Sequence, residues 1–358
     1  MVTPAPLRVL VVDDSAYNRK NIADILGARD DIEVIGKAGD GDEALRLVSQ
    51  LKPDAITLDL EMPRMDGFTF LRILMSKAPT PVIVVSSYSN KENVFKALEL
   101  GAIDFVAKPD RQFAPEPAIR QEILNKVLLV RNLRPLSAPA PMRVGSALRP
   151  SAPEPASPGR AVSSGGVPRY LVVIASSTGG PSALLDLFSR LPERFPGAIL
   201  IAQHMPDKFT RTFAERLDKK GAVRVVEAQD GDTVTARRAY VCPGKQCMEL
   251  VSQSGGLGDL RIRVSAPAPA DRYVPSADRL LRSAAPLGGS RTIGIILTGM
   301  GDDGVAGGRA IRAAGGSIIA ESEETAVVYG MPGAAVRAGI VSDEMPLPAI
   351  GDYLAGLS

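Results

Sequence analysis

Tryptophan is absent and aromatic residues make up only 4% of the 358-residue chain, so the stacking platforms that bind single-stranded nucleic acid are poorly supplied. Charge of one sign is not in excess either. The 42 basic and 40 acidic residues leave a net charge of +2, which argues against a dedicated nucleic-acid protein with a concentrated basic face. There are two cysteines, Cys242 and Cys247, and their C-x4-C spacing comes without a second Cys or His pair. A zinc site is therefore not expected, and two free thiols in a reducing compartment are. No apolar stretch approaches the roughly 20 residues that a membrane helix needs. The opening Met-Val-Thr-Pro-Ala-Pro lacks the basic and apolar regions of a signal peptide. Together these absences predict a cytoplasmic protein with no nucleic-acid partner and no membrane insertion. Histidine occurs once, at His204.

What is present is a chain long enough for two or three domains, with 45% apolar residues to fill their cores. Residues 135–168 run through Pro, Ala, Ser and Gly without periodicity. Such a segment cannot bury enough to offset its ordering entropy and behaves as a tether. The expected division is therefore 1–134, a linker at 135–168, and 169–358.

In the first part, short apolar runs at Val9–Val12, Ile32–Ile35, Ala55–Leu60, Pro81–Val85 and Asp104–Ala107 alternate with segments of helical spacing. Repeated βα units predict a parallel sheet covered on both faces. Ligands of such sheets collect at the carboxyl ends of the strands. Asp13, Asp14, Asp59, Ser86 and Lys108 stand there. Three converging carboxylates repel one another unless a hard cation neutralises them, and oxygen ligands suit Mg²⁺. A carboxylate beside such a cation can attack phosphorus. A single Asp of this kind is most often a solvated loop charge, but the full set at matching strand ends is not.

This pattern resembles the receiver domain of two-component response regulators over about residues 7–130. The resemblance implies a flavodoxin-like fold with Asp59 as phospho-acceptor. Asp14 and Asp59 would bind Mg²⁺ directly, with Asp13 close by and the carbonyl of Glu61 as a further ligand. Ser86 would be the switch hydroxyl and Lys108 the phosphate contact. Phe105 stands where many receivers carry a mobile aromatic, although simple core packing also accounts for it.

In the last part, three apolar runs each end in a polar motif. Tyr170–Ala175 leads into Ser176-Ser177-Thr178-Gly179-Gly180, and Pro181 opens a helix where its missing N–H costs least. Ala198–Ala202 leads to His204, and Thr292–Leu297 leads to Thr298-Gly299-Met300-Gly301-Asp302-Asp303-Gly304. Adjacent parallel strands lie about 4.8 Å apart, so side chains at neighbouring strand ends can hydrogen-bond. Serine as nucleophile, His204 as general base then acid, and an aspartate as its orienter form a serine-hydrolase arrangement. Free N–H groups at the helix start would serve an oxyanion. Spacing alone does not choose between Ser176 and Ser177 or between Asp302 and Asp303. Each part also has a plainer reading: a phosphate loop, a core histidine, a helix cap.

Residues 169 to about 355 resemble the catalytic domain of the chemotaxis protein-glutamate methylesterases. The stretches concerned are Ser-Thr-Gly-Gly-Pro, Ile-Ala-Gln-His-Met-Pro, Tyr-Val-Cys-Pro-Gly, Leu-Thr-Gly-Met-Gly-Asp-Asp-Gly and Val-Val-Tyr-Gly-Met-Pro. The resemblance implies a doubly wound, mostly parallel three-layer αβα domain with Ser177, His204 and Asp303 as catalytic residues. The backbone around Thr178 and Met300 would line the site. It implies methyl-ester hydrolysis on glutamates of methyl-accepting chemoreceptors, glutamine deamidation as a weaker expectation, and a chemotaxis histidine kinase as phosphodonor. Ester hydrolysis itself would need no cofactor. Ser176, Cys247 and Gly333 depart from the family pattern, none of them in the triad.

Three other readings are weaker. A dinucleotide oxidoreductase would need G-x-G-x-x-G, which is missing from this turn. A DNA-binding regulator would carry a basic recognition helix in its second half, which instead has mixed charge and an α/β pattern. A non-catalytic adaptor that docks chemoreceptors is the main alternative.

Overall fold

A computed structural model describes residues 5–86, 91–108, 117–133 and 165–357. The expected linker lies outside these residues apart from its last four, where the Ala236 N–H donates to the Gly166 carbonyl at 2.9 Å.

The N-terminal half alternates strand and helix: β1 (Leu7–Val12), α1 (Ala16–Gly27), β2 (Ile32–Ala38), α2 (Gly41–Leu51), β3 (Ala55–Leu58), α3 (Gly67–Lys77), β4 (Val82–Ser86), α4 (Lys91–Glu99), β5 (Asp104–Ala107) and α5 (Pro117–Leu128). The strands pair in parallel in the order β2-β1-β3-β4-β5, which is the flavodoxin-like order. β3, β4 and β5 are buried along their whole length, as strands covered on both faces must be. Helices begin where a short polar side chain accepts a first-turn N–H: Ser15 from Asn18, Asp40 from Glu43, Asp66 from Thr69.

The C-terminal half runs β6 (Leu171–Ser176), α6 (Gly180–Arg190), β7 (Ala198–Gln203), α7 (Asp207–Lys220), β8 (Arg224–Glu227), β9 (Arg238–Val241), β10 (Cys247–Val251), β11 (Arg261–Ser265), α8 (Ala277–Gly288), β12 (Thr292–Ile296), α9 (Val305–Ala313), β13 (Ser317–Glu321), α10 (Met331–Arg337), β14 (Asp343–Met345) and α11 (Leu347–Ala355). Seven strands pair in parallel in the order β14-β13-β12-β6-β7-β9-β8. β10 and β11 form a separate antiparallel pair. Alternate residues of β6 feed the two helical layers, as the strand period of two requires. Val172 and Ile174 join the cluster of Leu184, Phe188, Phe213 and Leu354. Leu171, Val173 and Ala175 join that of Leu281 and Ile311. The expected pair of α/β folds is borne out. Strand ends differ from the sequence reading by up to three residues, most at β2, which runs on to Ala38 rather than stopping at Ile35, because pairing rather than apolarity decides where a strand stops.

The two halves share one hydrophobic cluster. α4 lies against α6 and α7. Phe95 stacks on Phe213 with ring centroids 5.5 Å apart, and Phe105 meets Phe209 at 4.6 Å. At the rim, Arg216 of α7 reaches Glu99 of α4 at 2.7 Å.

α8 and α9 cross closely at Gly307, where a Cβ would fall 2.6 Å from the Leu281 Cβ and 2.7 Å from the Asp278 carbonyl. The Asp278 carboxylate caps α9 across this crossing by accepting the Gly304 and Gly307 N–H groups at 3.0 and 2.7 Å. Backbone cannot step aside as a flexible side chain does, so Gly307→Ala should cost about 1–3 kcal/mol. Denaturant unfolding of the full chain would register this as a lower midpoint, and an unchanged midpoint would contradict the tight crossing.

Candidate active site

β6 sits in the middle of the large sheet with β7 on one side and β12 on the other, and the carboxyl ends of these three strands bring the candidate residues together. Their registers are fixed by the ladder: Ser176 pairs with Gln203, and Ala175 with Ile296. Each polar motif therefore leaves the sheet at the same level.

The two serines face different surroundings. Ser176 is fully buried, and its hydroxyl donates to Gln203 Oε1 at 2.7 Å. Ser177 is half-buried just beyond the strand, and its own backbone is clamped. Its N–H donates to the Thr298 carbonyl at 3.0 Å, and its carbonyl accepts from Gln203 Nε2 at 2.9 Å. Gly179 then turns the chain into α6 at φ +79°, with Val327 and Thr298 packed where a Cβ would sit. The left-handed backbone and the crowding together require glycine there.

His204 Nε2 lies 2.8 Å from Asp303 Oδ2. Asp303 is 1% exposed, so its oxygens need partners. α8 supplies them: the Ala277 and Asp278 N–H groups donate to Oδ2 and Oδ1, both at 2.8 Å. Asp302 instead faces outward and accepts from the Tyr273 hydroxyl at 3.0 Å, with Arg272 3.4 Å away. Among the described residues Ser177 Oγ makes no hydrogen bond to the imidazole, and such bonds are often loose without substrate. The N–H groups of Thr178 and Met300 take no part in the surrounding backbone hydrogen bonding. Thr178 is buried and Met300 is exposed at the rim.

Two supports escaped sequence reasoning. The Thr298 hydroxyl donates to the Thr178 carbonyl at 2.9 Å and accepts the Val328 N–H at 2.9 Å, tying three loops together. Buried Glu321 accepts the Thr298 N–H at 2.8 Å, and burial pushes its pKa above the usual carboxylate range. The other omission is Tyr273, whose only sequence signal is its position shortly before the helix start at Ser276.

In the smaller sheet, Asp13, Asp14 and Asp59 place one oxygen each within 4.8 Å of one another. Lys108 forms ion pairs with Asp59 and, at 3.0 Å, with Asp13 Oδ2. The Asp13 contact lacks hydrogen-bond alignment, which leaves that buried oxygen without a hydrogen-bond partner. Burial works against the Lys108 charge, but Asp59 and Asp13 outweigh it and raise the lysine's pKa. Burial pushes Asp59 up to about 6 despite Lys108, with Asp13 adding like-charge repulsion. Three hard oxygens, one of them without a hydrogen bond, fit a divalent cation. Ser86 is buried at the end of β4, where its carbonyl accepts the Lys108 N–H at 2.8 Å. The Glu61 N–H donates to Asp59 Oδ1 at 3.4 Å.

A flavodoxin-like domain with an acidic cluster and a lysine at its strand ends, joined to an α/β domain with a His–Asp pair at its own, has the layout of a response regulator with an enzymatic effector. Family models agree: a response regulator receiver domain matches residues 9–114 and CheB methylesterase matches residues 172–354. The chain is 45% identical to protein-glutamate methylesterase/protein-glutamine glutaminase 1 of Myxococcus xanthus, covering 100% of this chain and 99% of the relative. Identity to the number 6 protein of that name from Anaeromyxobacter dehalogenans is 49%, covering 96% and 93%. The Thermotoga maritima CheB methylesterase catalytic domain superposes with a TM-score of 0.51 at 38% identity, covering 53% of this chain and 98% of that one. The chain belongs to the protein-glutamate methylesterase/protein-glutamine glutaminase family.

The Asp59 shift sets a pH dependence. Its ordinary value is 3.8 and its folded value about 6, so between those pH values the folded state holds a proton that the unfolded state has lost. Stability from this group is therefore full below about pH 4 and is lost as pH rises to about 6. In a chelator, wild type should weaken relative to Asp59→Asn over that window, and a millimolar divalent cation should reverse the loss at pH 7. Melting temperatures of both proteins across pH 4–7 test this; parallel curves would contradict the buried carboxylate cluster.

Proposed function

We propose that this chain is a phosphorylation-regulated serine hydrolase that removes methyl groups from glutamate side chains of chemoreceptors. The observation that carries the reading is the 2.8 Å His204–Asp303 contact, standing at strand ends that flank Ser177. Ser177 would attack the γ-glutamyl ester carbonyl while His204 takes its proton, and Asp303 holds the ring. The carbonyl oxygen, negative in the tetrahedral intermediate, would be met by the unused N–H groups of Thr178 and Met300. His204 then returns the proton to the departing methoxide, and methanol leaves. Water, deprotonated by His204, attacks the acyl-enzyme, frees Ser177 and leaves the glutamate carboxylate. A glutamine amide presents the same carbonyl, so deamidation with loss of ammonia would use the same residues. No helix among the described residues is long and apolar enough to cross a membrane. The proposed place of work is the cytoplasm, on the receptors' methylated helices.

In the receiver, Asp59 would take the phosphoryl group from a chemotaxis histidine kinase. Asp14, Asp59 and the Glu61 carbonyl would hold Mg²⁺ with Asp13 beside them. The cation would offset the charge that gathers there. Lys108 and Ser86 would contact the phosphoryl oxygens. Before phosphorylation the receiver covers the approach to the site. Phe209, which meets Phe105, is five residues beyond His204. Val327, which packs over Gly179 beside Ser177, also joins the receiver's hydrophobic cluster. Phosphorylation would loosen this contact. A hundredfold activation needs only about 2.7 kcal/mol of differential stability. The adaptor alternative has no observation in its favour.

Methanol release from a methylated receptor cytoplasmic fragment tests the chemistry. Release should vanish in Ser177→Ala, rise with a small phosphodonor plus Mg²⁺, and ignore the phosphodonor in Asp59→Ala. Release from Ser177→Ala at the wild-type rate would overturn the mechanism. The domain contact has its own test. Glu99→Lys breaks the ion pair with Arg216 and should raise the unphosphorylated rate by up to about fivefold. Arg216→Glu in the same chain should bring the rate back down, whereas an additive effect of the two changes would exclude this contact from the regulation.

A further inference from the structure

The chain's one imidazole has an aromatic ring laid against its face. Tyr273 and His204 have ring centroids 5.2 Å apart and planes within 6° of parallel. The tyrosine is fixed from several directions. Its hydroxyl donates to Asp302 Oδ1 at 3.0 Å, and the Arg272 guanidinium lies 5.4 Å from its centroid. Gly301 at φ +97° makes room for it, since a Cβ there would fall 2.4 Å from the tyrosine oxygen. Four residues on, the same segment becomes the first turn of α8, whose Ala277 and Asp278 N–H groups hold Asp303. One stretch, 273–278, thus touches both the face of the imidazole and the carboxylate at its edge.

We propose that Tyr273 is a positioning residue for His204, and that Asp302 serves the reaction by anchoring Tyr273. The inference rests on His204 being the general base. A single hydrogen bond to Asp303 fixes one point of the imidazole and leaves the ring free to rock about that point. An aromatic plane packed against its face removes that freedom, so one ring nitrogen stays on Asp303 while the other stays available for the Ser177 proton. Parallel aromatic pairs are favourable at this separation, and a π face also tolerates the imidazolium that forms during attack. Burial and the Asp302 bond hold the phenol above its usual pKa, which keeps the ring uncharged. The adjacent acids of the Asp302-Asp303 pair would then divide the work, the inner one on the imidazole edge and the outer one on the ring that covers its face.

The single histidine makes a direct test possible, because the imidazole C–H signals in the NMR spectrum of the full chain belong to His204 alone. Stacked on Tyr273 they should be shifted by the ring current; the shift should weaken in Tyr273→Phe, which keeps the ring but loses the Asp302 bond, and disappear in Tyr273→Leu. With phosphodonor present, Tyr273→Leu should lower kcat for methanol release about three- to tenfold at nearly unchanged KM, and Tyr273→Phe should recover most of the loss. Asp302→Ala, which frees the hydroxyl and leaves the ring in place, should weaken the shift and lower kcat less. Imidazole signals that do not move in Tyr273→Leu would overturn the proposal. So would moved signals with a wild-type kcat, or equal losses in the Phe and Leu variants. Ser177→Ala separates the two levels. If it is inactive while Tyr273→Leu runs at full speed, only this proposal fails. If it retains the wild-type rate, the triad reading itself fails.

Discussion

A carboxylate taken out of water must be given donors, and the C-terminal domain is arranged around meeting that need at Asp303. Two first-turn amides of α8 and the His204 ring supply them. α8 must therefore end its approach just under the Asp302-Asp303 turn. It is held there by Asp278, which caps α9 from across the crossing, and by Gly307, which lets the two helices meet. β12 delivers the turn, β7 delivers His204, and β6 between them delivers Ser177. Replacing any one of these contacts would leave a buried charge short of a partner, which costs more than an ordinary lost hydrogen bond.

The architecture was legible because its signals are local and repeated. Apolar runs of strand length, each followed by helical spacing, identify the parallel sheets, and the polar residues that end those runs identify the strand tips. The finer choices depend on contacts between distant segments. Ser176 and Ser177 look alike in sequence, and the ladder pairing with Gln203 is what leaves Ser176 sealed and Ser177 at the surface of the site. Asp302 and Asp303 look alike too, until α8 arrives from about 25 residues upstream to occupy one of them. Tyr273 and Glu321 carry no motif. Their positions follow from a loop crossing and a strand neighbour, and neither is encoded in spacing.

The scarce aromatics are unevenly used. Of nine phenylalanines, four meet where the receiver touches the catalytic domain. Each taken singly reads as core filler, since each is buried and each falls on the apolar face of its own element. Only their juxtaposition makes an interface, and it involves residues more than a hundred positions apart. The Glu99–Arg216 pair at its edge is half-exposed and adds orientation more than energy.

The receiver's chemistry lies close to that interface along one strand. Lys108, paired with Asp59, stands three residues after Phe105, and Lys126 of α5 donates to the Phe105 carbonyl while its ammonium sits 5.2 Å from the Phe105 ring. On the proposed switch, a phosphoryl group on Asp59 would draw Lys108 into new contacts and pull on the strand that carries Phe105. The displacement need not be large. Aromatic pairs contribute roughly 0.5–1.5 kcal/mol beyond their buried area, and a hundredfold activation requires about 2.7 kcal/mol. Disturbing the Phe105–Phe209 contact and one neighbouring pair is thus of the right size, while the rest of the shared core stays packed. Ring pairs at the edge of a shared apolar core can thus be shifted by one covalent group while the core behind them keeps the two domains joined.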